Sequence, residues 1–126
     1  MKKVIVTDKA PGAIGPYSQG IDTGMCIFFS GQIPVNPVTG EMPEGIEAQA
    51  RQSLDNVKAL LESQGLGFEH VVKSTVFLAN MDDFAVMNGI YGVYFVEPYP
   101  ARSAVQVAKL PKGALIEVEV IATKQL

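Results

Sequence analysis

Only two arginines occur among the 126 residues, Arg51 and Arg102. Arg102 stands near the head of "PARSAVQVAKLP" (100–111), where strand alternation puts Arg102, Ala104 and Gln106 on one side and Ser103, Val105 and Val107 on the other. A guanidinium in so apolar a setting needs either a partner in its own chain or a ligand. Its planar fork suits a carboxylate in a way that lysine cannot match, and the pattern leaves both readings open. A second chemically capable pair follows in "LIEVEVIA", where Glu117 and Glu119 share one side of a strand and Ile116, Val118 and Val120 the other. A glutamate set among apolar side chains has its pKa raised, which suits acid–base work. On a half-covered strand the same alternation simply puts both carboxylates in water.

Other chemistries lack residues. His70 is the only histidine and Cys26 the only cysteine, so nucleophilic Ser–His–Asp or Cys–His sites and a structural zinc site are short of components. His70 reads as a solvated loop histidine behind Glu69. Cys26, within "MCIFFS", reads as a buried structural thiol that cannot form an internal disulfide. Asp82 and Asp83 read as helix-start residues rather than metal ligands. Neither G-x-G-x-x-G nor G-x-x-x-x-G-K-[ST] occurs, which removes support for a dinucleotide or nucleoside triphosphate site. No cofactor and no metal are expected.

The net charge is −3 and the pI about 5.0, with basic residues scattered or in the terminal pair Lys2–Lys3. Nucleic acid is therefore disfavoured as a partner. No run of about 18 uncharged apolar residues is present, so no membrane helix is expected. The apolar segment of "MKKVIVTDKAPG" is far shorter than the roughly 7–15 residues of a secretory leader. A cytoplasmic location is the expectation.

The elements that must position these side chains are short and punctuated by Gly and Pro. "KKVIVT" reads as a first strand, Tyr17 to Ile21 as a second, "DTG" as a tight turn, and "MCIFFSG" as a third strand, apolar throughout and so covered on both faces. From Ile46 to Gln64, Ile46, Ala50, Leu54, Val57, Leu60 and Leu61 recur at helical spacing, with Gln49, Arg51, Gln52, Asp55 and Lys58 mostly outside the stripe. Arg51 pairs with Asp55 four residues on, and Gly65 stops the helix. "HVVKSTVFLAN" alternates as a strand. "NMDDFAVMNGIYGVYFVE" carries possible caps at Asn80, Asp82 and Asp83 and Phe84, Met87, Ile90, Tyr91 and Tyr94 at helical spacing. Gly89 and Gly92 weaken that helix by about 1 kcal/mol each unless close packing needs them. "ARSAVQVAKL" and "ALIEVEVIAT" close the chain around a "PKG" turn. The order β-β-β-α-β-α-β-β predicts an α+β domain, a mixed or antiparallel sheet with two helices on one face. The opposite face still carries Val, Ile, Phe and Leu, which points to self-association.

Taken together, "IGPYSQG" (14–20), "SGQIPVNPVTGE" (30–41), "QARQSLDNVKALLESQG" (49–65), "KSTVFLANMDDFAVMN" (73–88) and "PARSAVQVAKLPKGALIEVE" (100–119) resemble the reactive-intermediate deaminase (Rid) family, RidA type. The resemblance runs end to end. It implies one chorismate-mutase-like domain over residues 1–126, assembled as a homotrimer with a central barrel and sites in clefts between subunits. It also implies hydrolysis of reactive 2-enamino and 2-imino acids (2-aminoacrylate/2-iminopropanoate and 2-iminobutanoate) to 2-oxo acids and ammonia, without a cofactor. By the same resemblance the family's carboxylate-binding arginine falls on Arg102 and its site glutamate on Glu117. The tyrosine of "GPY" falls on Tyr17, the pair of "SGQ" on Ser30 and Gly31, and the helix asparagine on Asn88. Arg102 and Glu117 are thus the catalytic candidates; Tyr17, Ser30, Gly31, Asn88 and Arg102 would hold the carboxylate substrate.

Two departures stand out. Many relatives carry a reactive cysteine two residues after this arginine, where this chain has Ala104, and Cys26 lies in a different strand. The segment "FVEPYPARS" also reads as shorter than in the bacterial relatives, which bears on substrate size. The missing thiol gives weight to a second reading, a non-catalytic trimer that binds or senses small carboxylates such as 2-oxobutanoate. RNA cleavage, attached to some relatives, is disfavoured by the acidic pI, the two arginines and the lack of paired histidines.

Overall fold

The computed structural model describes residues 1–126. Strands β1 (Lys3–Ile5), β2 (Gly20–Asp22) and β3 (Cys26–Phe29) precede helix α1 (Ile46–Glu62); β4 (Val71–Leu78), α2 (Phe84–Tyr94), β5 (Ala101–Gln106) and β6 (Ile116–Thr123) follow. The strands form one sheet in the order β1-β2-β3-β6-β4-β5. Every pairing is antiparallel except β4 with β5, which α2 connects as a parallel crossover. The expected mixed α+β sheet with two helices on one face is what the chain forms.

The core lies between that face and the helices. Ala50, Leu54, Val57, Leu60 and Leu61 of α1 and Met87, Ile90 and Tyr91 of α2 pack over Ile116, Val118 and Val120 of β6 and Val76 and Leu78 of β4. All of these are at most 6% exposed. Each fully buried Leu or Ile is worth roughly 1.5–3 kcal/mol relative to exposure. The α1 stripe is wider than apolar spacing alone indicates. Gln49 is buried too, donating to the Pro43 carbonyl at 3.0 Å and accepting from the Leu115 N–H at 2.8 Å. The Asn56 amide reaches the Ile33 and Val35 carbonyls at 3.2 and 2.9 Å, tying the loop after β3 to the helix.

Several local expectations are corrected. The second strand pairs only over Gly20–Asp22, because its partner β3 ends at Phe29, and Tyr17 and Ser18 lie in the preceding loop. In β3, Ile27 and Phe29 are buried but Phe28 is 49% exposed, so the chain covers one face of this strand and not both. Cys26 is half-buried rather than buried. β5 stops at Gln106, because β4 ends opposite it at Leu78. Arg51 pairs with Glu47 at 3.6 Å rather than with Asp55, whose carboxylate accepts the Tyr94 hydroxyl at 2.7 Å. Burial, together with that carboxylate, pushes the Tyr94 phenol up to about 12. His70 is not solvated: its Nδ1 lies 3.1 Å from both the Gly67 N–H and a Glu69 oxygen, capping the turn before β4. Gly65 does stop α1, with φ +72°. At Gly89 and Gly92 an added Cβ would meet nothing within 4 Å, so packing inside the chain does not require them. No helix is long and apolar enough to cross a membrane.

Register also fixes what faces away from the helices. Glu117 and Glu119 of β6 lie opposite Phe77 and Thr75 of β4, and Ile121 lies opposite Phe28 of β3, which pairs in turn with Ile21. With Val105, opposite Phe77, and Val4, opposite Ile21, these residues make a face that is largely apolar and uncovered by the chain. Val4, Phe28 and Val105 are 61%, 49% and 44% exposed.

Candidate active site

The sequence-predicted residues fall into two groups. Arg102 is the second residue of β5, an edge strand, and pairs in register with Ser74, which is fully buried beneath α2. Its side chain therefore lies on the helix face. There the Nη1 donates to Asn88 Oδ1 at 2.8 Å, and the guanidinium carbon sits 4.7 Å from the centre of the Tyr91 ring and 5.5 Å from that of Phe84. Neither of the chain's ion pairs, Arg51–Glu47 and Lys124–Asp22, involves Arg102. The alternative of a structural ion pair is thus ruled out within the chain. A cavity of about 490 Å³ opens beside the exposed guanidinium, lined by Asn88, Tyr91, Gly92, Tyr99, Pro100 and Arg102.

The second group lies on the other face, over the interior strand β6 and the segments beside β3. Glu117 is half-buried, and burial, with the Glu119 carboxylate adding to it, raises its pKa above the ordinary glutamate value. Gly31 is packed against it so closely that a Cβ there would overlap the carboxylate. The neighbouring Gln32 exchanges backbone hydrogen bonds with Val118 at 2.8 and 3.1 Å, which holds Gly31 beside β6 and leaves its N–H without a backbone partner. Ser30 donates its hydroxyl to the Ser18 carbonyl at 2.6 Å. Tyr17, 54% exposed, joins Ser18, Ser30, Phe28 and Glu119 around a second cavity of about 540 Å³.

The chain thus brings Arg102 to Asn88, and Glu117 to Gly31, but leaves these two clusters on opposite sides of one sheet. The first can hold an anion through a charged, planar donor; the second offers the Glu117 carboxyl beside the Gly31 N–H, and a cavity where the Tyr17 and Ser30 hydroxyls meet Glu119. Tyr91 belongs to the first cluster and was expected only as a core residue. Its position three residues after Asn88, one turn along the same helix, is the signal that could have placed it there. Tyr99, which lines the same cavity, carried no such signal.

Comparison with known proteins gives concordant results. The model of the family described as endoribonuclease L-PSP matches residues 7–124. The 2-iminobutanoate/2-iminopropanoate deaminase of Escherichia coli K12 is 55% identical, over 99% of this chain and all of that one. Among solved structures, the YjgF gene product of E. coli superposes with a TM-score of 0.93 at 55% identity, covering 98% of this chain and 99% of the other. E. coli TdcF with bound serine superposes with a TM-score of 0.92 at 49% identity, covering 97% and 98%.

Proposed function

The chain belongs to the endoribonuclease L-PSP family, in its reactive-intermediate deaminase branch of RidA type, and on that premise we propose that it hydrolyses 2-imino and 2-enamino acids to 2-oxo acids and ammonia in the cytoplasm. The observation that carries the reading is the Arg102 cluster: a guanidinium on an edge strand, free of its own chain's carboxylates, beside an open cavity. Such a donor recognises a small carboxylate, the group that every 2-imino acid presents.

The working unit is a homotrimer. The apolar sheet face, with Phe28 and Val105 exposed, and the unpaired edge of β5 both call for cover, and a closed ring of copies supplies it. Each site then takes Arg102 and Asn88 from one copy and Tyr17, Ser30, Gly31 and Glu117 from its neighbour. Two halves that cannot meet within one sheet meet across a cleft.

In that cleft Arg102 fixes the substrate carboxylate and so the adjacent C2. The Gly31 N–H and the hydroxyls of Ser30 and Tyr17 position the substrate and a water. Glu117 takes a proton from this water as its oxygen bonds to C2 of the protonated imine and the C=N π electrons move to nitrogen, giving a neutral carbinolamine. Glu117 then passes its proton to that nitrogen. The C–N bond breaks, ammonia leaves, and loss of the hydroxyl proton gives the 2-oxo acid. Neither a thiol nor a cofactor enters these steps, so Ala104 is no obstacle. Proton transfer of this kind contributes about 10²–10⁴-fold, and positioning adds to it.

The test couples the protein to a threonine dehydratase and follows the imine signal. The wild type should speed its disappearance, and Arg102→Ala should abolish the acceleration at unchanged oligomeric mass. Near-normal turnover by Arg102→Ala would refute the clamp.

A further inference from the structure

We infer that Tyr91 is a positioning residue: its ring, pinned by Ser74, holds the Arg102 guanidinium in the orientation that receives a carboxylate. This rests on the carboxylate clamp proposed above. Arginine at an exposed strand edge has many rotamers, and a ligand that must collect them loses affinity. Three contacts restrict this one. Asn88 takes the Nη1 side at 2.8 Å, leaving the Nε–Nη2 edge, a two-donor edge, without a partner in the chain. The Tyr91 ring lies under the guanidinium at 4.7 Å, and Phe84 approaches at 5.5 Å.

Tyr91 itself is fixed more firmly than a ring in a core needs to be. Its hydroxyl and that of Ser74 are 2.6 Å apart in a buried hydrogen bond, and its other neighbour, Phe95, stacks on it at 4.0 Å between centres with the planes 13° apart. Ser74 is the strand residue in register with Arg102. The chain therefore closes a small loop of contacts, from Arg102 across the sheet to Ser74, from Ser74 to the Tyr91 hydroxyl, and from the Tyr91 ring back to the guanidinium. The hydroxyl satisfies the buried Ser74 hydroxyl and in doing so sets the angle of the ring.

The experiment is calorimetric titration of the full-length assembled protein with 2-oxobutanoate, which needs no turnover and so tests the inference whether the protein is a catalyst or a sensor. Tyr91→Leu should weaken binding about tenfold in the wild-type background, within the range for ordering one rotamer-rich side chain. In an Arg102→Lys background, which has no planar group to stack, it should change binding by less than about twofold. Tyr91→Phe, which keeps the ring and frees it from Ser74, should cost about threefold. Equal losses in the two backgrounds, or no loss at Tyr91→Leu, would overturn the inference and leave the clamp standing. If Tyr91→Leu fails to fold, Tyr91→Phe decides, with unchanged affinity the contrary result. Failure of the wild type to bind 2-oxobutanoate at all would overturn the clamp, and this inference with it.

Discussion

Arg102 and Glu117 project from opposite faces of the same sheet: Arg102 is in register with buried Ser74 under α2, and Glu117 with Phe77 on the uncovered face. A carboxylate held by the first cannot present its C2 to the second inside one chain. The relationship turns a question of catalysis into one of assembly, and the consequences can be measured separately.

Phe28 is the most direct test of the uncovered face. It is 49% exposed and outside the core, so Phe28→Asp leaves the fold of the chain intact. A charge placed in a buried oligomer interface costs several kcal/mol. If this face is buried in the proposed trimer, sedimentation should show the mass falling from three chains to one, with an unaltered circular dichroism spectrum and loss of the proposed deaminase activity.

Glu117 predicts a pH dependence of both rate and stability. Its pKa is raised in the fold, first by burial and then by Glu119, so the folded protein binds this proton more tightly than the unfolded chain. The stabilisation is fully present below the unfolded value near 4.5 and disappears as pH rises through the folded one. Glu117→Gln should therefore raise the melting temperature at neutral pH relative to the wild type, with the difference vanishing below pH 4.5. In kcat/KM, the acidic limb should lie above 4.5 in the wild type and be lost in Glu117→Gln, together with about 10²-fold or more of the rate.

Gly31→Ala separates space from backbone freedom. The backbone at Gly31 is not in the left-handed region, but its Cβ would overlap the Glu117 carboxylate and come within 3.1 Å of Glu117 Cγ. The variant should fold, displace Glu117, and lose about 10²-fold in kcat, the usual size of an ångström-scale misplacement. Melting curves and steady-state rates check it; a normal kcat would mean that Glu117 does not act from this position.

How much of this could be read from the residues varies with the range of the interactions. The α1 stripe and the β6 alternation are period signals, and both packed as their spacing requires, Leu54, Leu60 and Leu61 inward and Glu117 and Glu119 away from the helices. Gln49 and Asn56 were invisible to such periods, because their burial depends on carbonyls of the segments around residues 33–35 and 43. His70 and Asp55 were misassigned for the same reason: the partners that decide them, the Gly67 N–H and the Tyr94 hydroxyl, are set by backbone turning and by helix packing. At the site, Arg102 was conspicuous as one of two arginines, and family resemblance placed Asn88 and Gly31. Tyr91 escaped because a core ring and a ring under a guanidinium occupy the same helical spacing. That Arg102 and Glu117 face opposite ways depends on strand register, which no single segment encodes.

The decisive measurement is subunit complementation. Arg102→Ala and Glu117→Ala are each expected to be inactive, and the two are unfolded together, mixed in equal amounts and refolded. If every site draws Arg102 from one copy and Glu117 from the next around a ring, roughly three-quarters of the trimers are mixed and each mixed ring carries one intact site in three. The mixture should recover about a quarter of wild-type activity. A mixture as inactive as its parents would contradict the shared site.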